Sequence, residues 1–144
     1  MVVNEEFSFN GKVNNAAIRI LSVNSIKGSL AFVLEPGETN ISLYKDSLQL
    51  SKVEGTKNNN SFNIYKKNFR KLNDVVVNLR SERKDAKSNF DTIKLNNKNI
   101  EYDKARKKLT DYPHEFIDNN TDLDVSLLIL ETQLIGTNQN TEKF

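Results

Sequence analysis

Three stretches of this sequence carry side chains that could do chemistry together. His114, the sole histidine, stands between Pro113 and Glu115. A histidine beside a carboxylate can move a proton, but this pair has no nucleophile candidate or second ligand next to it, and it reads as a loop residue with an incidental acidic neighbour. Asp118, Asp122 and Asp124 gather carboxylates, yet the glycine and terminal Glu of a calcium loop are missing, so they read as a solvated acidic link. The third stretch is basic. Lys66, Lys67, Arg70 and Lys71 form one cluster, Arg80, Arg83, Lys84 and Lys87 a second, and Lys104, Arg106, Lys107 and Lys108 a third. On a helix, residues three and four apart are neighbours, so these clusters become stripes that could follow a phosphate backbone. Asp74, Glu82, Asp85, Asp91, Glu101 and Asp103 are interspersed and offer ordinary surface pairing instead. No aromatic RNA-binding motif or helix-turn-helix signature accompanies the bases.

Other chemistries have less to stand on. The five glycines, at 11, 28, 37, 55 and 136, form no phosphate loop. Cysteine is absent, which removes disulfides, thiolate metal sites and cysteine nucleophiles. The beginning Met1-Val2-Val3-Asn4-Glu5-Glu6 is acidic and leads into no apolar stretch of signal-peptide length. The longest apolar run, Leu127-Leu128-Ile129-Leu130, falls far short of the ~20 residues that span a bilayer. These features lead us to expect a cytoplasmic chain with no cofactor, no metal and no membrane partner. The 21 asparagines carry no functional weight, and the three Asn-x-Ser/Thr matches are what such a composition supplies by chance. Charge is partitioned: residues 57–108 hold 15 basic and 6 acidic side chains, a net +9, whereas residues 109–144 hold 1 and 7, a net −6. This asymmetry suits an acidic partner for the middle segment, or neutralisation within the fold or an oligomer.

The elements that must position these groups divide into a β-rich part, residues 5–65, and a helical part, residues 66–112. Phe7-Ser8-Phe9, Asn10-Gly11 and Lys12-Val13 suggest a tight hairpin. Residues 16–23 read as a strand. Pro36-Gly37 has the chemistry of a type II turn, which predicts a hairpin pairing residues 29–34 with 40–44. Leu48, Leu50 and Val53 continue at near-strand spacing. Residues 56–61, polar and asparagine-rich, read as the connector. Phe62 and Ile64 fit either a last strand or the start of the helix.

From Phe69 an apolar period persists for several turns: Phe69, Leu72, Val76, Leu79, Arg83, Ala86, Phe90, Ile93, Asn97 and Ile100 lie at alternating steps of three and four. That is a heptad seam, as in a coiled coil. Val75-Val76-Val77 favours a strand at residues 74–79 as the alternative. Residues 96–99 suggest a turn between two antiparallel helices, the second running over 100–109 and ending before Tyr112-Pro113. Val125 to Leu130 reads as a strand buried on both faces, part of a returning strand over 125–135 that ties the chain into one domain of residues 1–144. Residues 136–144 read as a flexible tail.

The expected fold is therefore α+β: a small, mostly antiparallel amino-terminal sheet, a long amphipathic helix or helical hairpin, and a late carboxy-terminal strand. The seam serves either packing within the chain or a homo-oligomer, in which the polar Arg83 and Asn97 would fix register. No constellation supports catalysis. The first expectation is a non-enzymatic protein-interaction or assembly module, of the kind found among viral structural and mobile-element accessory proteins, packing through Phe69, Leu72, Val76, Leu79, Phe90 and Ile93. The alternative is a nucleic-acid-binding accessory protein using Lys67, Arg70, Lys71, Arg80, Arg83, Lys84, Lys87, Arg106, Lys107 and Lys108.

Overall fold

In a computed structural model, residues 2–3, 6–24 and 26–135 are described. The expected tail at 136–144 lies outside them. The fold class is α+β, as expected: short antiparallel ribbons lead into two long helices and a short third one. The first ribbon joins β1 (Val2–Val3) to β2 (Glu6–Phe7), and residues 8–13 add no strand, so the hairpin expected around Asn10-Gly11 does not form. The second joins β3 (Ala17–Leu21) to β4 (Leu30–Leu34), with Ile18 opposite Val33. The third joins β5 (Asn40–Ser42) to β6 (Lys52–Glu54), with a 3-10 turn at Leu48–Leu50 before β6.

The expected pairing of 29–34 with 40–44 is thus replaced by two different ones. Gly37 does take a positive φ of 119°, but the bend sends β5 towards β6 instead of back along β4. Gly55, at φ 113°, lets the chain leave β6 beside Glu38; a Cβ there would lie 2.5 Å from the Glu38 carbonyl oxygen. Val33, which any strand added to β4 would have to engage, is already satisfied. Asn59 offers Oδ1 to the Val33 N–H at 2.9 Å and donates Nδ2 to the Val33 carbonyl at 2.8 Å, imitating a neighbouring strand with one side chain.

Residues 56–61 are accordingly not a connector. Thr56 caps α1 (Lys57–Ser88), its hydroxyl accepting from the Asn59 N–H at 3.2 Å, and the asparagines of the first turn are structural. Asn58 accepts from the Val125 N–H at 3.0 Å and donates to Glu35 at 2.7 Å. Phe62 and Ile64 lie on the helix, and the valine run at 75–77 stays helical because Val76 is buried against α2 (Thr92–Asp118).

The break between the helices falls at residues 89–91, not 96–99. The Asp91 N–H reaches the Ala86 carbonyl at 3.0 Å and the Phe90 N–H reaches Lys87 at 3.2 Å, the bonding pattern of a Schellman cap with Phe90 in its left-handed position at φ 56°. Asp91 then caps α2, accepting from the Lys94 N–H at 2.9 Å. Residues 96–99 continue inside α2, and so does Pro113. A proline within a helix costs roughly 3 kcal/mol. Here Pro113 is buried, and its neighbours Tyr112 and Phe116 both pack on Tyr65, which offsets that loss.

The segment read as a returning strand is helical: α3 (Asp124–Ile129) continues into a wider π-helical turn over Leu130–Ile135. Val125 and Ile129, four apart, point into the core while Leu127 is exposed, so the apolar run has one buried face, not two. Asn58 satisfies an amide of the first turn of α3 from outside, which helps so short a helix persist.

Two cores result. One gathers Val33, Phe62, Tyr65, Phe116, Val125 and Ile129 beneath the β3–β4 ribbon, with Phe69 and Tyr112 packed against it. The other holds Val76, Leu79 and Tyr102, flanked by Ala105 and Leu109, and belongs to α1 and α2 alone. The molecule is thus a small head carrying a helical hairpin. From Phe69 to Ser88 the hairpin extends about 28 Å at 1.5 Å per residue.

Candidate interaction sites

The phase of the seam explains where each expected contact residue ends up. On α1 one stripe of buried and half-buried positions runs Phe62, Tyr65, Phe69, Leu72, Val76, Leu79, Arg83 and Ala86, so the period begins seven residues earlier than Phe69. On α2 the matching positions are Leu95, Asn99, Tyr102, Ala105, Leu109, Tyr112 and Phe116. The break at 89–91 resets the phase, so carrying the α1 register across it selects the wrong face. Phe90, Ile93 and Ile100 are all exposed, Phe90 to 92% and Ile93 to 78%. Of the six expected packing residues, four face the protein's own interior and two stand at the turn, touching neither core.

Arg83 is half-buried within the hairpin. Its guanidinium lies over the Tyr102 ring at 4.2 Å, and Nε donates to Asn99 Oδ1 at 2.7 Å. A polar layer satisfied in this way fixes the register of α1 on α2. Arg80 reaches the Tyr102 hydroxyl at 3.5 Å, and Lys98 bridges Glu82 on α1 at 2.7 Å and Glu101 at 2.8 Å. Lys107 pairs with Asp111 at 2.7 Å. Lys84, Lys87, Arg106 and Lys108 are exposed and make no ion pair among the described residues.

Lys67, Arg70 and Lys71 come together at the other end of α1, in a groove of about 560 Å³ between residues 49–54 and α1. Lys52 and Lys66 complete its basic lining, and Glu54 and Asp74 supply the opposite charge. Lys52 was not legible as part of any cluster, because it comes from β6, some 15 residues before the helical bases.

Lys66 donates to the Ala31 carbonyl at 2.6 Å and lies over the Phe62 ring at 4.8 Å. Burial, and secondarily the charge of Arg70, lowers its pKa from 10.5 to about 8. Between those two values the folded chain has released a proton that the unfolded chain still holds, so stability is expected to rise as the pH climbs from about 8 towards 10. The gain should be on the order of 1 kcal/mol once solvent screening is allowed for. Burial raises the pKa of Tyr65 and Tyr112, which opposes the trend only above about pH 10, where unfolded tyrosines ionise. Urea unfolding at pH 7.5 and 9.5 checks this: the midpoint should increase, and the increase should vanish in Lys66→Met.

The residues that suggested acid–base or calcium chemistry do not converge. His114 is exposed on α2, Asp118 closes that helix, Asp122 lies in the following loop and Asp124 opens α3. Among the described residues, no three His, Cys, Asp or Glu side chains are grouped to hold a metal ion. No described helix is long and apolar enough to cross a membrane.

Fold and surfaces together define an α+β protein with a basic groove at the head and an apolar turn at the end of a helical hairpin. Residues 1–62 match a family described as a domain of unknown function (DUF4369). The match ends at Phe62, six residues into α1, so nearly all of the hairpin lies outside it. No curated protein and no solved structure was found to match the chain.

Proposed function

We propose that this chain is a non-enzymatic protein-interaction module whose partner-facing element is the turn of the hairpin, with Phe90 as anchor. The observation that carries this reading is the Phe90 ring, 92% exposed and held at φ 56°. A left-handed conformation costs a non-glycine residue about 1–2 kcal/mol, and this ring recovers none of it through packing within the chain. Ile93 extends the apolar surface one turn into α2.

The occupant that fits is a pocket on another protein. Two side chains of this size offer roughly 300 Å² of apolar area. That is far below the ~800 Å² each partner buries in a stable interface, so tip-to-tip contact between two copies would be weak. An aromatic anchor entering a preformed pocket can dominate binding with so little area. Lys84, Lys87 and Lys94 flank Phe90 along the chain, make no ion pair among the described residues and outnumber the exposed Asp85, while Asp91 is engaged in capping α2, so an acidic pocket rim complements the tip.

The nucleic-acid reading has less behind it, since Arg80 and Arg83 are held by Tyr102 and Asn99 across the hairpin and Lys107 pairs with Asp111. A photo-crosslinking residue at position 90 or 93 tests the proposal in the cells that make the chain. One adduct should form from both positions and not from Asn73, exposed on the shaft of α1. The purified adduct partner should bind the chain at least tenfold more weakly after Phe90→Asp. Equal labelling from Asn73, or a dimeric mass that Phe90→Asp dissolves, would overturn it.

A further inference from the structure

Five cations line one groove at the head of the molecule, and none has a carboxylate partner among the described residues. Lys52 stands on β6, while Lys66, Lys67, Arg70 and Lys71 stand on α1. What contacts they make go to neutral groups: Lys66 to the Ala31 carbonyl and the Phe62 ring, and Arg70 to the Gln49 carbonyl at 2.9 Å, which uses one of its five N–H donors. Glu54 and Asp74 lie on the same groove and leave the lining with three positive charges in excess. A partly buried cation that is solvated by a carbonyl and a ring keeps its charge uncompensated, so an anion entering beside it gains more than it would on open surface. Leu50 adds an exposed apolar side chain to the same lining.

We propose that this groove is a binding site for a small organic anion bearing phosphate groups, with at least two negative charges and about the size of a nucleotide. The volume of about 560 Å³ lies within the range of small-molecule sites. Lys67, Lys71 and Lys52 supply mobile point charges for the phosphates, Arg70 keeps donors for a bidentate contact, and Leu50 covers the organic body. A nucleic-acid strand fits less well, because beyond the groove Glu82 follows on α1, where Arg80 and Arg83 are already held by Tyr102 and Asn99. The site is independent of the hairpin turn, so it can fail without touching the proposal made for Phe90.

The test is an NMR titration of the full chain with ATP, inorganic pyrophosphate, inorganic phosphate and a twelve-residue oligothymidylate. Saturable shifts confined to residues 49–54 and 60–74 are expected with ATP and pyrophosphate, and weaker ones with phosphate. Lys67→Gln with Lys71→Gln, both exposed positions, should weaken ATP binding at least tenfold. Lys84→Gln with Lys87→Gln should leave it unchanged. No saturation at millimolar ATP, or an equal loss in the Lys84/Lys87 pair, would overturn the proposal. So would an oligothymidylate that binds more tightly than ATP and shifts the Lys84 and Lys87 amides, which would identify the surface as a nucleic-acid track.

Discussion

Tyr65→Ala is expected to destabilise the protein by about 3–5 kcal/mol, the range for removing a large aromatic side chain from a packed core. Tyr65 is 1% exposed and is the hub of the head. Its ring centroid lies 4.9 Å from Phe116, 5.4 Å from Tyr112, 5.9 Å from Phe69 and 6.1 Å from Phe62. The substitution therefore removes contacts within α1 and, at the same time, those that hold α2 onto α1 through the turn containing Pro113. Pro113 keeps its place in a helix only while that packing persists, so the carboxy-terminal turn of α2 should lose its helical signal first. A small domain has about 5–15 kcal/mol in total, so much of its stability would go. Urea unfolding followed by circular dichroism measures the loss. Tyr65→Phe, which keeps the ring, should recover most of it. A loss under 1 kcal/mol for the alanine variant would show that the aromatic cluster does not hold the head together.

Asn59→Ala is expected to cost about 3 kcal/mol by a different route. The side chain closes both backbone hydrogen bonds of Val33 and also donates to Thr56 Oγ1 at 3.0 Å. Val33 is fully buried, so no water takes over when the amide leaves. A buried donor or acceptor left without a partner costs roughly 1–3 kcal/mol, and here a donor and an acceptor are stranded together. The diagnostic readout is amide hydrogen exchange at Val33. It should accelerate far more than that of Phe32, whose N–H faces Arg19 across the ribbon. Equal acceleration at both would mean that the ribbon loosens as a whole and that Asn59 has no particular role in holding Val33.

The sequence made the succession of β and helical parts legible, because alternation in residues 17–21 and 30–34 and a sustained three-four period on α1 are local signals. Strand pairing was not legible. Each strand is two to five residues long, and nothing in its alternation says which neighbour it will join; here an asparagine side chain takes an edge that turn chemistry had assigned to a strand. The polar composition of residues 56–61 hid the start of α1, since Asn58 and Asn59 look like loop residues until their buried partners are known. The helix break was hidden because its left-handed position holds Phe90 and not the glycine that usually marks one. Pro113 pointed the other way, to a helix end that tertiary packing overrides.

The candidate surfaces were legible to different degrees. Phe90 and Ile93 stood out as apolar, but with the wrong phase they looked like a continuation of the seam. Lys67, Arg70 and Lys71 stood out by charge, whereas Lys52 joins them only through the fold. Arg83, the residue that interrupted the seam, is held by Asn99 and Tyr102, so the interruption serves the packing of α1 on α2.

The central claim is that Phe90 serves a partner and not the fold, and one variant separates the two. Phe90→Gly replaces a strained left-handed residue with the one that adopts this conformation most readily, so the chain should become more stable by about 1 kcal/mol. The decisive measurement is the affinity of that variant for the protein crosslinked from position 90. Binding should be at least tenfold weaker than that of the original chain, in a protein whose urea midpoint has risen. Unchanged affinity would contradict the central claim, because the exposed ring would then have no partner to serve.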